Sequence, residues 1–359
     1  MAVTIGDIAE KTGISPSAVS LALNGRPGVS EETRIRVRRA AERMGYQKHR
    51  RFPVNLTQNV RYMIFCEQGD VVKGTDFHAL VMQGIESSAK ELGFNVLVSY
   101  FDAKGNWEEQ FSSLLNDVTG VIMLSTEVRD RDILEFSRSG LLQTELPFVM
   151  IDNATNIVEV DSVVSDNLGG AYAAASRLFS LGHPDVGYLK SRQRIDTFDE
   201  REQGFFKARK EAKVADFAKP MIIEVDISSE KAYRDMDRWL SEGGKPLSAF
   251  FADNDIIAAS CVRALKAHGY RVPEDVSIIG FDDMPLCTLV DPPLTTIRIR
   301  KQQMGIMAME LLHSQLPEIR ERHFSEFGRG ACRVTVSTSL IERSSAIPYQ
   351  KGGNVAKED

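Results

Sequence analysis

The chain has few of the features that mark catalysis, metal binding or disulfide stabilisation. Its four cysteines lie far apart without CxxC spacing, so we expect free thiols in a reducing cytoplasm rather than disulfides or a metal site. None of the six histidines stands in an HExxH pattern, and no GxSxG, GxGxxG or phosphate-loop motif occurs. The sequence therefore gives no reason to expect an enzyme, a bound metal or a cofactor.

Long apolar runs are also missing. No stretch approaches the roughly 18 apolar residues that a membrane-spanning helix needs. The N-terminus lacks the basic and apolar segments of a secretory signal, so we expect a cytoplasmic protein. At 359 residues, of which 43% are apolar and 26% are charged, the chain is long enough for two or three globular domains.

Charge is distributed unevenly along the chain. Residues 1–51 contain ten Lys and Arg against five Asp and Glu, a balance of +5, whereas the remainder has a balance of −11. This asymmetry favours a basic, nucleic-acid-binding head on an acidic body.

The basic head begins with two short predicted helices. Thr4 and Ser15 suit their N-caps, and Gly13 and Asn24 suit the residues just past their ends. A third helix is predicted after Ser30, and its arginines either contact DNA phosphates or form a solvated basic face. Two helices of about two turns cannot bury a core alone. The three together look like a helix-turn-helix, whose second helix enters the DNA major groove.

The body has a different pattern, in which short apolar runs alternate with helical segments. The predicted strands are 62–65, 95–100, 120–124, 148–151, 186–189, 220–225, 249–252 and 276–281. Such alternation predicts parallel sheets covered by helices, and its restart after 163–167 predicts two lobes. Because ligands in these folds bind at the carboxyl ends of the strands, we expect a ligand site in the cleft between the lobes.

Head and body together resemble the Lac-repressor (LacI/GalR) family of bacterial transcription regulators. The resemblance covers nearly the whole chain and rests on Val3–Tyr46 and on four body segments: DNLGGAYAAASRLFSLGHPDVGYL (166–189), EREQGF (200–205), ADNDIIAASCVRALKAHGYRVPEDVSIIGFDD (252–283) and DPPLTTI (291–297). It implies an all-α, lambda-repressor-like helix-turn-helix head. It also implies a bilobed, periplasmic-binding-protein-like body of two Rossmann-like α/β subdomains. Residues 1–58 would form the head and hinge, 59–345 the effector-binding and dimerisation body, and 346–359 a disordered tail.

The function implied by this resemblance is sequence-specific DNA-binding transcription regulation, by a repressor that binds double-stranded operator DNA. The family forms homodimers or pairs of dimers. A small polar effector, such as a sugar, would bind between the lobes and change the affinity for DNA. The alternative is a solute-binding protein of the periplasmic type without regulatory DNA binding, which would need export.

The resemblance assigns five residues to the effector: Phe77, Asp152, Arg201, Asn254 and Asp282. Phe77 would either stack on a ligand ring or fill the core at a helix start. The alternative roles are loop capping for Asp152, a surface salt bridge for Arg201 and helix capping for Asn254. Carboxylates, an amide and an arginine suit the vicinal hydroxyls of a sugar, because each hydroxyl both donates and accepts hydrogen bonds.

Two further expectations concern side chains in the body. A position that often holds a stacking aromatic residue in the family falls on Ile227, so this role would pass to Tyr233 or Trp239. His183, in LGHPD, is expected to be a structural turn residue rather than a ligand contact.

The resemblance also assigns residues of the head and hinge to DNA. Four match phosphate contacts, with helix capping or turn formation as the alternative role: Thr4, Ser15, Ser20 and Asn24. Pro16, Ser17 and Leu21 fall on base-facing positions of the second helix. Leu56 in the hinge either wedges into the minor groove or rests on the body.

Leu21 generates a test of base recognition. Many family members have arginine at this position, where two donors bond guanine, whereas leucine either contacts a thymine methyl group or packs. We expect Leu21→Arg to change the preferred base at one operator position by about 1–3 kcal/mol, measured as binding to single-base operator variants. An unchanged preference would mean that Leu21 faces the core.

Overall fold

The chain forms two compact units, which we call the head (Met1–Arg51) and the body (Phe52–Asp359). The computed structural model describes residues 5–23, 28–44, 58–67, 77–138, 146–213, 219–316, 319 and 330–350. None of the helices within these ranges is long and apolar enough to cross a membrane.

The head contains three helices, α1 (Ile5–Thr12), α2 (Pro16–Leu23) and α3 (Glu31–Arg43). Gly13 ends α1 with a φ of +67°, a left-handed conformation that glycine adopts without steric cost. The Ser15 hydroxyl caps α2 by accepting a hydrogen bond from the Ala18 N–H at 3.3 Å. These features confirm the helices that were predicted from the sequence.

The core of the head is made by one apolar face of each helix: Ile8, Ala9, Val19, Ala22, Val37 and Ala41. The Arg36 guanidinium, on α3, donates a hydrogen bond to the Thr12 carbonyl at the C-terminal end of α1. A cation is favourable there because it complements the negative end of the helix dipole. Arg36 therefore stabilises the head itself.

The first lobe of the body comprises the described residues within 58–165 and 301–336 and is built on one sheet. Its elements are β1 (Asn59–Cys66), α4 (Phe77–Glu91), β2 (Asn95–Asp102), α5 (Trp107–Leu114), β3 (Gly120–Leu124), α6 (Asp130–Arg138), β4 (Phe148–Ile151) and β5 (Asp161–Ser165), followed later in the chain by α11 (Lys301–Ser314) and β11 (Arg333–Val336). The strand order is β11-β5-β4-β3-β1-β2, and all pairs are parallel.

The second lobe comprises the described residues within 166–298 and 339–350. Its elements are α7 (Asn167–Ser180), β6 (Gly187–Ser191), α8 (Asp196–Glu211), β7 (Ile222–Val225), α9 (Ser229–Ser241), β8 (Ala249–Ala252), α10 (Asp255–Ala267), β9 (Ser277–Asp282), a 3₁₀ helix (Pro285–Thr288), β10 (Thr295–Arg298) and β12 (Ser339–Ile341). The strand order is β12-β10-β9-β8-β6-β7, with only β12 antiparallel to its neighbour among the described strands. The eight predicted strands and the two lobes are confirmed.

Helices α4 and α11 approach each other closely through two glycines. A Cβ atom on Gly84 would lie 2.0 Å from the Gln302 carbonyl oxygen, and one on Gly305 would lie 2.1 Å from the Val81 carbonyl oxygen. Backbone therefore meets backbone, and no larger residue fits at either position. This packing fixes α4, whose first residue is Phe77, against the sheet of the first lobe.

The prediction that the tail is disordered from residue 346 is wrong for residues 346–350, because they pack on the second lobe. The Ile347 N–H donates to the Ser277 hydroxyl at 3.1 Å, and the Tyr349 N–H donates to the Leu181 carbonyl at 2.8 Å. His183 lies between this segment and the lobe and bonds the Ile347 carbonyl and the Ser248 hydroxyl. Its role is structural, as predicted, and burial lowers the pKa of His183. Residues 351–359 lie outside the described residues.

Candidate functional site

A cavity of about 40 Å³ lies between the two lobes, where the carboxyl ends of strands from both sheets meet. The residues that line it come from both lobes and are Phe77, His78, Leu124, Thr126, Asp152, Ile195, Thr197, Phe198, Arg201, Asn254 and Asp282. The structure thus brings together all five side chains that the sequence assigned to an effector.

Asp152 and Asp282 reach the cavity from the ends of β4 and β9 in unusual backbone conformations. Their φ angles are +73° and +110°, a region that residues with side chains rarely adopt. Backbone strain of this kind is typical of functional sites, where the surrounding structure enforces it.

Three buried polar atoms at the cavity have no hydrogen-bond partner among the described residues. They are Asp152 Oδ1, Thr197 Oγ1 and His78 Nδ1. The other carboxylate oxygen of Asp152 accepts a hydrogen bond from the Thr126 hydroxyl at 2.7 Å. Since buried polar groups are normally paired, these three atoms are suited to a polar ligand.

Burial also perturbs the ionisation of Asp152. Desolvation raises the pKa of Asp152 to about 6, although the hydrogen bond from Thr126 and the charge of Arg201 act in the opposite direction. At neutral pH the cavity therefore contains a carboxylate that is ionised at a cost in folding stability.

Arg201, on α8, is a buried clamp within the second lobe. Its Nε donates to Asn167 Oδ1 at 3.0 Å, Nη1 donates to the Asp253 carbonyl at 2.6 Å, and Nη2 lies 3.1 Å from Asp282 Oδ1. The guanidinium also covers the Phe281 ring, with its central carbon 3.9 Å from the ring centroid. The alternative role considered for Arg201, a salt bridge on the surface, is therefore wrong, because its ion pair with Asp282 is buried.

Asn254 and Phe77 each have the structural role considered for their positions and also line the cavity, so their contact with an effector stays a prediction. The Asn254 side-chain oxygen accepts from the Ile257 N–H at 2.9 Å and so caps α10, while the residue also lines the cavity. Phe77 is the first residue of α4, packs against the core of the lobe and also lines the cavity.

Asp255 fixes the loop that carries Asp282. Its carboxylate, which is fully buried, accepts hydrogen bonds from the Thr296 hydroxyl at 2.5 Å and from the Met284 N–H at 2.9 Å. Desolvation, reinforced by the nearby charge of Asp282, raises the pKa of Asp255 to about 7.

Sequence reasoning missed several lining residues, of which Phe198 is the most informative. Ile227 packs against Ile195 and Phe198, while Tyr233 and Trp239 pack on a separate core of the second lobe and do not line the cavity. The aromatic wall comes from Phe198 instead. On α8, Thr197 precedes Arg201 by four residues and Phe198 precedes it by three, so both lie on the helix face that carries Arg201. This spacing could have revealed that they line the same cavity.

Comparison with known proteins identifies the family. The head matches the model "Bacterial regulatory proteins, lacI family" over residues 4–49, and residues 175–346 match "Periplasmic binding protein-like domain". The HTH-type transcriptional regulator DegA of Bacillus subtilis is 30% identical over 307 residues, which cover 85% of this chain and 89% of that protein. The chain belongs to the LacI family.

Two further transcription regulators are similar over nearly their full length. The HTH-type transcriptional repressor PurR of Aliivibrio salmonicida is 28% identical over 326 residues, which cover 89% of this chain and 93% of that protein. The structure of the transcriptional regulator CelR in complex with cellobiose has a TM-score of 0.69 and 26% sequence identity, over 96% of this chain and 99% of that one. This LacI-family chain is therefore a DNA-binding transcription regulator, and neither an enzyme nor a solute-binding protein.

The structure describes part of the DNA-facing surface assigned to this LacI-family head. Ser15, Pro16 and Ser17 are exposed at the start of α2, and Leu21 is half-buried. The side chain of Ser20 is not among those described, and three further assigned residues lie outside the described residues: Thr4, Asn24 and Leu56. The DNA contacts of all eight stay predictions.

Asp152→Asn should stabilise the ligand-free regulator near neutral pH. Because the folded-state pKa is raised from 3.8 to about 6, the stability that Asp152 contributes is present below 3.8 and is lost as the pH rises through 6. Asparagine avoids the buried charge and can still accept from Thr126. We expect a gain of roughly 1–3 kcal/mol in the free energy of unfolding at pH 8 and none at pH 4, measured by chemical denaturation.

The matched control for this measurement is Asp130→Asn, which changes an exposed carboxylate in the first turn of α6 and should show no such gain. Equal effects of Asp152→Asn at both pH values, or a loss of stability at pH 8, would contradict the assignment of a strained buried carboxylate.

Proposed function

We propose that this regulator is a cytoplasmic repressor that binds operator DNA as a homodimer and senses a small neutral polyol, such as a sugar, between its lobes. The observation that carries the proposal is the set of unpartnered polar atoms at the cavity. The resemblance to CelR, whose structure contains cellobiose, supports the same class of ligand.

The hydrogen-bonding groups match a polyol. Asp152 Oδ1 can only accept when ionised, whereas the Thr197 hydroxyl can donate or accept, and the role of His78 Nδ1 depends on its tautomer. Sugar hydroxyls both donate and accept, so one ligand can satisfy all three. Phe77 and Phe198 supply the apolar surface that the carbon-bound face of a sugar ring needs.

The charges favour a neutral ligand over a phosphorylated or carboxylated one. Asp152 and Asp282 both bring carboxylates to the cavity, and Arg201 is the one lysine or arginine among the described lining residues. All three guanidinium nitrogens of Arg201 are already engaged by protein groups. Since Arg201 pairs with Asp282, an anion would face the unbalanced charge of Asp152 without a free guanidinium to bind it.

The size of the cavity links ligand binding to lobe movement. Its 40 Å³ accommodates only a few water molecules, whereas ligand sites usually measure about 300–1,000 Å³. A sugar therefore enters only when the lobes separate or the lining side chains move. A ligand that binds one lobe arrangement more tightly than another shifts the population toward it, and this is how the effector would change DNA affinity.

DNA binding through the head explains the need for two copies of the chain. A helix-turn-helix places the start of its second helix at the base edges, and here Ser15, Pro16 and Ser17 are exposed at that point. The capped start of α2 also presents N–H groups that suit a phosphate. Helix-turn-helix dimers read two half-sites related by symmetry, so a symmetric homodimer fits this role.

The second lobe offers an apolar surface for a second copy of the chain. A groove of about 930 Å³ runs along α10 and the 3₁₀ helix. Seven of the thirteen described residues that line it are apolar, among them Ile256, Val262 and Leu286, and the other six are polar or charged. Leu289, which also lines the groove, is 83% exposed and adds to the apolar surface that a second copy of the chain would cover.

The ligand proposal can be tested by thermal shift with matched pairs of compounds: ribose and ribose 5-phosphate, glucose and glucose 6-phosphate, and cellobiose. A neutral sugar should raise the melting temperature, because it binds only the folded protein, and its phosphorylated counterpart should not. Thr197→Val, which removes one unpartnered hydroxyl, should weaken binding about tenfold.

Ser165→Ala is the matched control, because the Ser165 hydroxyl is also buried without a partner among the described residues but does not line the cavity. Stronger stabilisation by a phosphorylated compound, or equal effects of the two variants, would rule out the proposed ligand class.

The homodimer proposal predicts that Leu289→Asp lowers the molecular mass measured by analytical ultracentrifugation from two chains to one, since a buried charge would oppose association. Leu134→Asp, at a 45% exposed leucine on α6, should leave the mass unchanged. A wild-type protein that sediments as a single chain would disprove the proposal.

A further inference from the structure

Three hydrogen bonds join the two lobes at the start of α8, on the edge of the cavity, in addition to the one that Lys301 donates to the Asp282 carbonyl. Arg129, in the first lobe just after β3, has its Nη1 2.8 Å from Oδ1 of Asp196, the first residue of α8 in the second lobe. Its Nη2 donates to the Arg194 carbonyl. Asn153, just after β4, donates from Nδ2 to Asp196 Oδ2 at 2.9 Å. We call Arg129, Asn153 and Asp196 the rim cluster.

The first-lobe members of the rim cluster are held in place by their own lobe. The Arg129 N–H donates to Asp132 Oδ2 at 2.8 Å, which fixes the backbone at the start of α6. Asn153 uses its second amide hydrogen on the Val128 carbonyl at 2.9 Å, and its side-chain oxygen accepts from the Ala154 N–H at 2.7 Å. The Asn153 side chain is therefore pre-oriented toward Asp196, and the backbone of Arg129 is fixed, so less freedom is lost when the lobes meet.

The second-lobe member of the cluster controls the position of a cavity wall. Asp196 begins α8, and the next two residues, Thr197 and Phe198, line the cavity, as does Arg201 one turn later. A bond at Asp196 therefore sets where the start of α8 lies relative to the first lobe. Widening the cavity by lobe separation requires that this bond break.

The ion pair of the rim cluster is accessible to water and hence breakable, whereas Asn153 is buried. The side chains of Arg129 and Asp196 are 30% and 45% exposed. Ion pairs with this degree of exposure are weak and are screened by salt. Such a contact can hold two lobes together without preventing a ligand from separating them.

We propose that Arg129, Asn153 and Asp196 are positioning residues of the effector site, which hold the lobes closed until a ligand enters. They act on Thr197 and Phe198 through the start of α8, and they need not touch the ligand. The proposal rests on the proposed function only in naming the cavity as the effector site, because the closure itself requires neither DNA nor ligand.

Hydrogen exchange of the full-length protein measures this closure directly. The N–H groups of Phe198 and Asp199 both donate to the Ile195 carbonyl in the first turn of α8, at 3.0 and 3.1 Å. In Arg129→Gln and in Asp196→Asn, peptides that contain these groups should exchange roughly two- to fivefold faster than in the wild type. Arg129→Lys retains the charge but loses the paired donors, so its exchange rate should lie between that of the wild type and that of Arg129→Gln.

Arg131→Gln is the matched control. This neighbouring arginine pairs with Glu67 and Asp132 inside the first lobe, so its loss should leave exchange at α8 unchanged. The double variant of Arg129→Gln and Asp196→Asn should accelerate exchange by less than the product of the two single effects, because both changes remove the Arg129–Asp196 pair. Raising the salt concentration should accelerate exchange in the wild type but not in the double variant.

The possible failures are distinguishable. Wild-type exchange in both rim variants, or an equal effect of Arg131→Gln, would overturn the proposal while leaving the effector proposal intact. Faster exchange in the rim variants, combined with no stabilisation by any sugar tested, would support the rim cluster and count against the proposed effector.

Discussion

The geometry of the cavity depends on the hydrogen bonds that the buried guanidinium of Arg201 donates. This group joins α8, which carries it, to Asn167 at the start of α7, to the Asp253 carbonyl after β8 and to Asp282 at the end of β9. A planar group with donors in fixed directions can hold several elements at once. Because its charge is balanced within the second lobe, Arg201 shapes the site without making it attractive to anions.

The first lobe contributes to the cavity a polar group that Arg201 does not bond, the carboxylate of Asp152. Asp152 lies opposite, buried and strained, with one oxygen bonded to Thr126 and the other without a partner among the described residues. Such a group destabilises the ligand-free protein and is stabilised when a ligand supplies donors. Thr197 Oγ1, in the second lobe, is likewise buried without a partner among the described residues, so the proposed ligand would bond groups of both lobes.

Much of this could be predicted from the sequence because the signals are local. The helices of the head follow from caps and apolar spacing around Ser15 and Gly13, and the strands of the body are continuous apolar runs. The assigned effector residues Asp152, Asn254 and Asp282 directly follow or end such strands, so parallel pairing alone brings them to one edge of each sheet.

The remainder depends on contacts between distant parts of the chain. No local pattern shows that α11 returns to the first lobe, where it packs on α4 through Gly305 and Gly84. Phe198 resembles an ordinary core aromatic until the fold places it beside Arg201. Residues 346–350 have no helix or strand pattern and precede a polar tail, yet their order comes from backbone N–H groups that donate to the Ser277 hydroxyl and the Leu181 carbonyl.

The central claim of this account is that ligand binding in the cavity and DNA binding by the head are coupled. The most direct measurement is the operator affinity of the full-length protein, by fluorescence anisotropy, with and without a saturating concentration of a sugar that raises its melting temperature. The account predicts a change of about 5- to 150-fold, together with an equal change in sugar affinity when operator is bound, since such coupling is reciprocal. An operator affinity that is the same with and without bound sugar would contradict it.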